Sequence, residues 1–504
     1  MRYTRPTRRA LGRVAAVTGI GAVFAAIGLD LRKLSRPKHG GVAAERTMPG
    51  STDWMIIDGV TRAADDIGMQ IKGYASSTSV VPGDQIAFHV TVADAEKYHV
   101  QIYRLGWYGG AGARRIVSSP KLAGVKQAAP DLDAETGMIS CDWEPSWSVR
   151  VGSWAAGYHL AVFTTDSGWR SYAPFVVHDP AQRGGLCVVL PFSTYQAYNQ
   201  WPLDGVIGKS LYYGYDADAK RVFDKRAYRV SFDRPYSGDG QPKLFSDDLT
   251  FVQWAEKSGF NLNYATTIDI ESGRLSHAAY TGFVFPGHDE YWSPTMRQWA
   301  EGAVDAGRSL AFLGANNVYW KVLFGASADG RPNRVVSCYK TGIDPIIVGS
   351  ATMRWRDSGV GPNEPEQAFL GIQYNGIVKG TAPLIVQSPD HWFWDGCDVI
   401  EGAAISKLVG IESDGVDPAV ATPHTGKQTI LAASPYKSTY GGTLTQNTSI
   451  LEHENGSLVF VAGTLHWTKG LAAEGFVNRR ITRATKNLLK RMQATATNRP
   501  TGSS

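Results

Sequence analysis

The side chains best suited to chemistry in this 504-residue chain are His288 and Glu290, which closely follow the apolar run Gly282–Phe285. Alternate residues of an extended segment share one face, so an imidazole and a carboxylate at this spacing can act on the same proton. A single His or Glu at such a position is usually structural. For the pair, a catalytic site and a structural cluster both stay open as interpretations.

The segment after this pair predicts the elements that hold it in place. Ser293 is a preferred N-cap and Pro294 suits the first helical position, so we expect a helix over residues 294–306. A second apolar run, residues 309–313, then leads into Asn316. Strand, helix and strand form a right-handed parallel unit, and its polar loops lie outside the carboxyl ends of the strands, where α/β sheets bind ligands. The side chain of Asn316 is therefore expected to meet the pair.

Two tyrosine-bearing segments follow another apolar run, Leu186–Leu190. Residues 191–199 contain Tyr195 and Tyr198, and residues 210–215 contain three more tyrosines. If the run belongs to the same sheet, these loops open at the same edge. Tyrosines in a long loop often complete an aromatic cluster. The alternative is ligation of a hard Lewis acid, because two phenolates and one carboxylate supply three negative oxygens, which neutralise a ferric ion.

Composition and charge bound the class of protein. The chain is 43% hydrophobic and 19% charged, which is ordinary for soluble globular protein, and its length predicts two substantial cores. The formal net charge is +5, but residues 1–38 hold nine Lys and Arg against one Asp, so the remainder is weakly acidic. Nucleic-acid binding needs a clustered cationic face, and the body of the chain does not supply the charge for one.

The basic N-terminus has its charged and apolar segments in the order of an export signal. Arg8 and Arg9 precede a weakly apolar run over residues 14–29, as in twin-arginine leaders. This route carries folded proteins, so a metal can be acquired before export. The run is shorter than the roughly 20 residues of a comfortable membrane span. We expect a periplasmic or extracellular protein; cleavage, anchoring by an uncleaved leader, and an ordinary basic tail stay open.

The four cysteines, Cys141, Cys187, Cys338 and Cys397, lack the spacing of a zinc site. Cys187 lies in an apolar run and is expected to be buried. Export would permit a disulfide, but the sequence does not choose partners.

The pattern of the chain changes near residue 180. Before it, short alternating runs such as residues 85–92 and 158–163 predict a β-sandwich. Tryptophans of this region, Trp107, Trp143, Trp147 and Trp154, suit sugar stacking or packing between sheets.

After residue 180, strands alternate with helices, which predicts an α/β domain with a mainly parallel sheet. We expect a helix over 247–258, a strand over 261–268 and a last helix over 477–493. The predicted divisions are a leader and linker (1–45), an immunoglobulin-like β-sandwich domain (46–180), an α/β catalytic domain (181–495) and a polar tail (496–504).

Several motifs together resemble one known family, the large (beta) subunit of N,N-dimethylformamidase and its relatives. The resemblance spans about residues 70–490. The motifs that carry it are residues 104–110, 141–147, 195–199, 210–212, 233–236, 287–292 and 463–467.

This resemblance implies a sandwich joined to a glutamine-amidotransferase-like α/β domain, and a mononuclear iron, ferric by the charge of its donors. By motif, the iron ligands are Glu290, Tyr198 and one tyrosine of residues 210–215. Tyr212 is our choice there, with Tyr213 as an alternative.

Tyr215 is the third candidate in that segment. The remaining site positions implied by the resemblance are His288 and Asn316, with Glu412 as a further acidic residue. His288 and Glu412 would move protons, and Asn316 would orient the amide or the developing oxyanion.

The function expected is therefore metal-dependent hydrolysis of a C–N bond in a small-molecule amide. Two alternatives stay open: an exported protein that binds a glycan or envelope component without turnover, and a hydrolase of another amide or an ester. The family's formamidase is cytoplasmic and has a small partner subunit, whereas this chain has an export leader. Substrate identity, oligomeric state and the need for a small subunit are left open, and membrane contact is expected only through the leader.

Overall fold

The computed structural model of the protein describes residues 41–341, 351–423 and 425–494. The predicted leader lies outside these ranges, except for its last residues, which form helix α1 (Gly41–Glu45). The predicted tail over 496–504 lies outside them too. No helix within the described ranges has both the length and the apolar character needed to cross a membrane.

Strands in residues 62–177 form two main sheets that share a core. They are β1 (Arg62–Ala63), β2 (Ile71–Ala75), β3 (Ser79–Val80), β4 (Gln85–Val92), β5 (Lys97–Leu105), β6 (Ala113–Ser118), β7 (Leu122–Ala123), β8 (Asp131–Leu132), β9 (Ile139–Ser140), β10 (Trp147–Arg150), β11 (Gly157–Thr165) and β12 (Trp169–Val177). One sheet has the order β1-β12-β11-β5-β6, and the other has the order β10-β4-β2. Apolar side chains of both sheets, Phe88 and Phe163 among them, pack between the two. The alternating runs therefore build a β-sandwich.

The strands after residue 180 are β13 (Leu186–Leu190), β14 (Gly214–Tyr215), β15 (Arg221–Val222), β16 (Arg229–Ser231), β17 (Leu262–Thr266), β18 (Gly282–Phe285), β19 (Tyr291–Trp292), β20 (Ser309–Phe312), β21 (Trp320–Lys321), β22 (Leu323–Gly325), β23 (Val335–Ser337), β24 (Gln373–Ile385), β25 (Ala404–Gly415), β26 (Lys427–Lys437), β27 (Thr443–Glu452) and β28 (Leu458–Val461). The other helices are α2 (Phe192–Tyr198), α3 (Phe245–Lys257), α4 (Thr267–Glu271), α5 (Pro294–Asp305), α6 (Gln367–Leu370), α7 (Lys469–Ala472) and α8 (Arg479–Ala494). Strands thus dominate the described ranges, and several of the sheets are small.

The main sheet of this second region has the order β17-β13-β18-β20-β28-β27-β26. Its first five strands are parallel, and β27 and β26 extend it antiparallel. Along the chain, β13 is followed by β17 on one side and by β18 on the other, so the direction of winding reverses between β13 and β18. Open parallel sheets bind ligands outside the carboxyl ends of strands at such a switch point.

The unit β18-α5-β20 forms as its local sequence predicts. The Ser293 hydroxyl accepts a hydrogen bond from the backbone N–H of Met296 at 3.1 Å, and Pro294 begins the helix, where its missing N–H costs nothing. Gly307, with φ of +73°, supplies the left-handed residue that follows the helix. Parallel pairing of β18 with β20 brings their following loops to the same edge.

One strand is shorter than expected, which corrects the prediction for residues 261–268. The strand ends at Thr266, whose hydroxyl accepts a hydrogen bond from the N–H of Asp269 while the Asp269 carboxylate accepts from Thr266. This capping box begins α4, so Ile268 is helical rather than extended.

The sandwich and the second region share one hydrophobic core. Leu160 of the sandwich belongs to the same buried cluster as Val188 of the main sheet. Arg104 on β5 and Glu256 on α3 form an ion pair across the junction, with Nη2 of the arginine 2.7 Å from Oε1 of the glutamate and both side chains fully buried. The proposed boundary at residue 180 stays a prediction, and so does the likeness to glutamine amidotransferases.

All four cysteines are buried, and Cys141, Cys187 and Cys397 form no disulfide with another described residue. The four sandwich tryptophans have packing partners: Trp143 lies against Tyr74, and Trp147 stacks on Phe88. Trp154 stacks on a histidine, and the Trp107 ring lies beneath a lysine ammonium. Packing accounts for their positions without a sugar ligand.

Candidate active site

The loop after β18 presents His288 and Glu290, and both side chains are buried. A Cβ atom on Gly287 would lie 2.1 Å from a carboxylate oxygen of Asp248, so only glycine fits at the start of this turn. The hydroxyl of Thr194, on α2, accepts hydrogen bonds from the backbone N–H groups of Glu290 (3.0 Å) and Tyr291 (3.2 Å). The tyrosine-bearing segment after β13 therefore fixes the backbone that carries the glutamate.

The two tyrosines chosen as ligands meet face to face. Tyr198 is the last residue of α2, and its ring stacks on that of Tyr212 with centroids 4.6 Å apart. The Tyr212 hydroxyl donates to Oε1 of Glu290, and the Tyr198 hydroxyl lies 3.3 Å from Nε2 of His288.

The other two candidates in residues 210–215 lie further from the carboxylate. Tyr213 is 39% exposed, and Tyr215 lies on β14, outside this cluster. The structure thus brings Tyr212, rather than its neighbours, to Glu290.

His288 lies at the centre of the acidic groups. Its Nε2 is 3.2 Å from Oε2 of Glu290 and 3.6 Å from Oε2 of Glu412, and its Nδ1 is 3.0 Å from the backbone carbonyl of Ala315. Nδ2 of Asn316 donates to Oε1 of Glu290 at 3.3 Å. All six side chains predicted from the sequence are therefore in one cluster.

Asn316 and Glu412 are presented by unusual backbone. Asn316 follows β20 with φ of +56°, and Ile411, next to Glu412 on β25, has φ of +64°. The backbone N–H of Asn316 donates to Oδ1 of Asp414 at 2.7 Å, which ties the β20 loop to β25. Left-handed conformations of non-glycine residues carry strain and are concentrated at functional sites.

Burial and neighbouring charges separate the pKa values of the two glutamates. Burial opposes ionisation of Glu290, but His288 outweighs it and lowers the pKa of this carboxyl below its usual value. Burial raises the pKa of Glu412, which the charge of Glu290 raises further. For His288, the attraction of Glu412 and Glu290 overcomes burial and raises the pKa to about 9. Two carboxyls whose pKa values diverge can take different proton-transfer roles.

The phenols of Tyr198 and Tyr212 are held neutral in the absence of a cation. Burial raises the pKa of both hydroxyls well above the usual value, and the charge of Glu290 raises it further. Ionisation of the two phenols therefore needs a compensating positive charge, which a bound metal ion would provide.

The donor set fits a hard metal ion. Oε2 of Glu412 and Oδ1 of Asn316 are buried oxygens without a hydrogen-bond partner among the described residues, and the nearest described partner of Oε2 of Glu290 is Nε2 of His288 at 3.2 Å. Unsatisfied buried oxygens are costly, and a cation would satisfy them. Within the described ranges no group of three or more His, Cys, Asp and Glu side chains could hold a metal. The candidate ligands implied by the family resemblance are two phenols and one carboxylate, which are hard oxygen donors.

Two lysines and a tryptophan at the site are absent from the sequence-based prediction. The Lys340 ammonium lies 3.5 Å from the centroid of the Tyr212 ring, and that of Lys243 lies 4.0 Å from the centroid of the Tyr198 ring. The indole N–H of Trp320 donates to the Tyr212 hydroxyl at 3.2 Å.

Tyr195 faces away from the cluster. Its hydroxyl donates to Oδ2 of Asp248 on α3, and both side chains are buried. The two tyrosines of α2 thus contact different neighbours through their hydroxyls, although they are only three residues apart.

Comparison with known proteins assigns the chain to a family. The profile of the family described as "N,N-dimethylformamidase beta subunit-like, C-terminal" matches residues 99–481, which is more than half of the chain. The chain belongs to this family. The matched region includes every residue of the cluster above, and the family suggests a hydrolase.

The other comparisons add little. No curated protein matches the chain. A solved structure of a Paenibacillus sp. cycloisomaltooligosaccharide glucanotransferase, complexed with cycloisomaltoheptaose, is 11% identical; the match covers 42% of this chain and 30% of that one, with a TM-score of 0.15. A likeness of this size carries no argument about fold or function.

Proposed function

We propose that the protein is an iron-dependent hydrolase that cleaves the C–N bond of a small amide. The observation that carries the proposal is the meeting of Tyr198, Tyr212 and Glu290 beside His288, at the switch point of the parallel sheet. Membership of the dimethylformamidase-like family supports amide hydrolysis as the reaction class.

Tyr198, Tyr212 and Glu290 would hold the iron. When bound, it would supply a Lewis acid that polarises the amide carbonyl and lowers the pKa of a water molecule. The charge of three anionic donors favours the ferric state.

His288 and Glu412 are the groups proposed to move protons. Hydrolysis of an amide requires that a proton leave the attacking water and that a proton reach the departing amine nitrogen. The two side chains are 3.6 Å apart, so one can accept the first proton while the other donates the second. The raised pKa of Glu412 makes its carboxyl the more readily protonated of the two glutamates.

Asn316 is proposed to orient the substrate. One of its amide hydrogens is directed to Glu290, and its Oδ1 accepts no hydrogen bond from the described residues. In the proposed role, the side-chain amide would donate to a substrate carbonyl whose oxygen gains negative charge during attack. The strained backbone of this residue is held in place by Asp414, as expected for a positioned donor.

The binding-protein alternative has less support. It relies on sandwich aromatics to hold a glycan, and Trp143, Trp147 and Trp154 all have packing partners within the protein.

Removal and restoration of iron tests the proposal. The purified protein is depleted with a chelator, then reconstituted with ferric or zinc ion, and formate or acetate release is measured from a panel of small formamides and acetamides. We expect hydrolysis that disappears on depletion and returns with iron. Hydrolysis that is unaffected by complete removal of iron would contradict the metal dependence, and an iron-loaded protein that hydrolyses no amide would contradict the reaction class.

A further inference from the structure

A lysine that forms no ion pair with the described residues lies against the candidate site. Lys243 is exposed, and its ammonium rests 4.0 Å from the centroid of the Tyr198 ring. Among the described residues, it makes no ion pair within 4 Å and no hydrogen bond. Exposed lysines are usually solvated surface charges, but this one is placed on the face of a residue of the candidate site.

A second cation lies near the stacked tyrosines. Arg221 is exposed, and its guanidinium lies 5.0 Å from the centroid of the Tyr213 ring, which neighbours Tyr212. Its Nε donates to Oε1 of the buried Gln200 at 2.6 Å. This bond fixes the guanidinium, while its two terminal nitrogens make no hydrogen bond to any described residue. A fixed guanidinium with free terminal N–H groups is suited to a bidentate carboxylate.

The two cations act on each other and on the site. The charges of Glu412 and Glu290 attract the Lys243 ammonium, and the charge of Arg221 repels it. The two carboxyls and the guanidinium are therefore close enough to Lys243 to act on its charge. A cation bound to Glu290 and the two phenols would neutralise those donors. Of the two carboxyls that attract Lys243, Glu412 would then remain, and among the described residues it forms no ion pair with either cation.

We propose that the amide substrate carries an anionic group, such as a carboxylate, which Lys243 and Arg221 bind while the amide occupies the inner cluster. This inference rests on the proposed amide hydrolysis and specifies its substrate class. A neutral amide would leave both cations unpaired. An acylated amino acid has the required chemistry, since it places a carboxylate a few bonds from a C–N bond of an amide.

The test uses pairs of substrates that differ in charge alone. N-formylglycine and N-acetylglycine are anionic, and their glycinamide counterparts are neutral and of similar size. Release of formate or acetate from each by the iron-loaded, full-length protein gives kcat/KM. We expect kcat/KM to be about tenfold higher for the anionic member of each pair at low ionic strength, and the preference to weaken as salt is added.

Variants assign the preference to the two cations. In Lys243→Met and in Arg221→Met, we expect the ratio of kcat/KM for anionic over neutral substrate to fall toward one, chiefly through a higher KM for the anion. Lys257→Met is the matched control, because the Lys257 ammonium also lies over an aromatic ring, 4.3 Å from the Trp107 centroid, but at the end of α3 away from the site. The control is expected to keep the preference.

The outcomes separate this inference from the proposed function. Hydrolysis of neutral and anionic amides at equal rates, or a preference that survives in both variants, would overturn the anionic substrate class and leave amide hydrolysis standing. Hydrolysis of neither member of any pair by iron-loaded protein would overturn both.

Discussion

The buried ion pair between Arg104 and Glu256 gives the sharpest stability prediction, because both side chains are fully buried and they join β5 to α3. Burial opposes the charge of Arg104, but Glu256 outweighs it and raises the pKa of the guanidinium, so the arginine stays charged. The carboxylate also accepts hydrogen bonds from the Tyr264 hydroxyl (2.7 Å) and from the backbone N–H of Trp107 (3.2 Å). Glu256→Gln removes the negative charge and leaves the arginine buried without compensation.

Breaking a buried pair from one side costs about 3–5 kcal/mol of unfolding free energy. Glutamine keeps the volume and one acceptor, so we expect about 3 kcal/mol for Glu256→Gln, measured by equilibrium unfolding in urea. Asp166→Asn is the control, since the pair of Asp166 with Lys121 is exposed, with side chains 45% and 53% accessible. Its loss is expected to stay near or below about 1 kcal/mol.

A double-mutant cycle decides whether the charge is the cause. Combining Arg104→Met with Glu256→Leu removes both charges, so the double variant should lose clearly less than the sum of the two single losses. Additive losses, within about 0.5 kcal/mol, would refute the reasoning, because they would mean that the two residues act independently.

Three further predictions concern the site, acid stability and export. Tyr198→Phe should lose iron, since Tyr198 lies beside His288 in the candidate site. Tyr195→Phe should keep iron and lose only stability, because the Tyr195 hydroxyl donates to Asp248. Equal loss of iron in both variants would assign α2 a packing role. Burial lowers the pKa of His159 to about 3. Below about pH 6.5 the unfolded chain therefore binds a proton that the folded chain does not, and the free energy of unfolding decreases as the pH is lowered. When the pH is lowered from 7 to 5, the free energy of unfolding of His159→Phe should therefore decrease by about 2 kcal/mol less than that of the parent protein. Equal decreases in urea titrations would contradict this. Replacement of Arg8 and Arg9 by Lys should keep iron-loaded protein in the cytoplasm, as fractionation would show; unchanged export would contradict twin-arginine transport.

The parts of the fold that local sequence determines were predictable. The bounds of α5 follow from the Ser293 cap and the proline after it, and the alternating run over residues 85–92 is a strand with the same bounds. The strand predicted over residues 261–268 is too long, because it ends at a capping box formed by Thr266 and Asp269, a local pattern that also favours the start of a helix. Elements whose ends depend on short-range side-chain contacts can thus be placed from sequence alone.

The composition of the site was only partly predictable. His288, Glu290 and Asn316 follow strands that are neighbours in the sheet, so their meeting follows from topology. The choice of Tyr212 among three nearby tyrosines depends on a contact with Glu290, which no local pattern specifies. Lys243 and Lys340 reach the site from segments with no recognisable motif, and their role comes from tertiary contacts with aromatic faces.

The measurement that tests the central claim most directly is the iron content per chain of the parent protein, of Glu290→Gln and of Glu301→Gln. Glu290 is buried among the candidate ligands, whereas Glu301 pairs with Arg297 on the surface of α5, so the two variants lose the same charge in different places. We predict about one iron per chain in the parent and in Glu301→Gln, with a tyrosinate-to-iron absorption band, and a large loss of both in Glu290→Gln. An iron-free parent protein, or full iron content with an unchanged band in Glu290→Gln, would contradict the account.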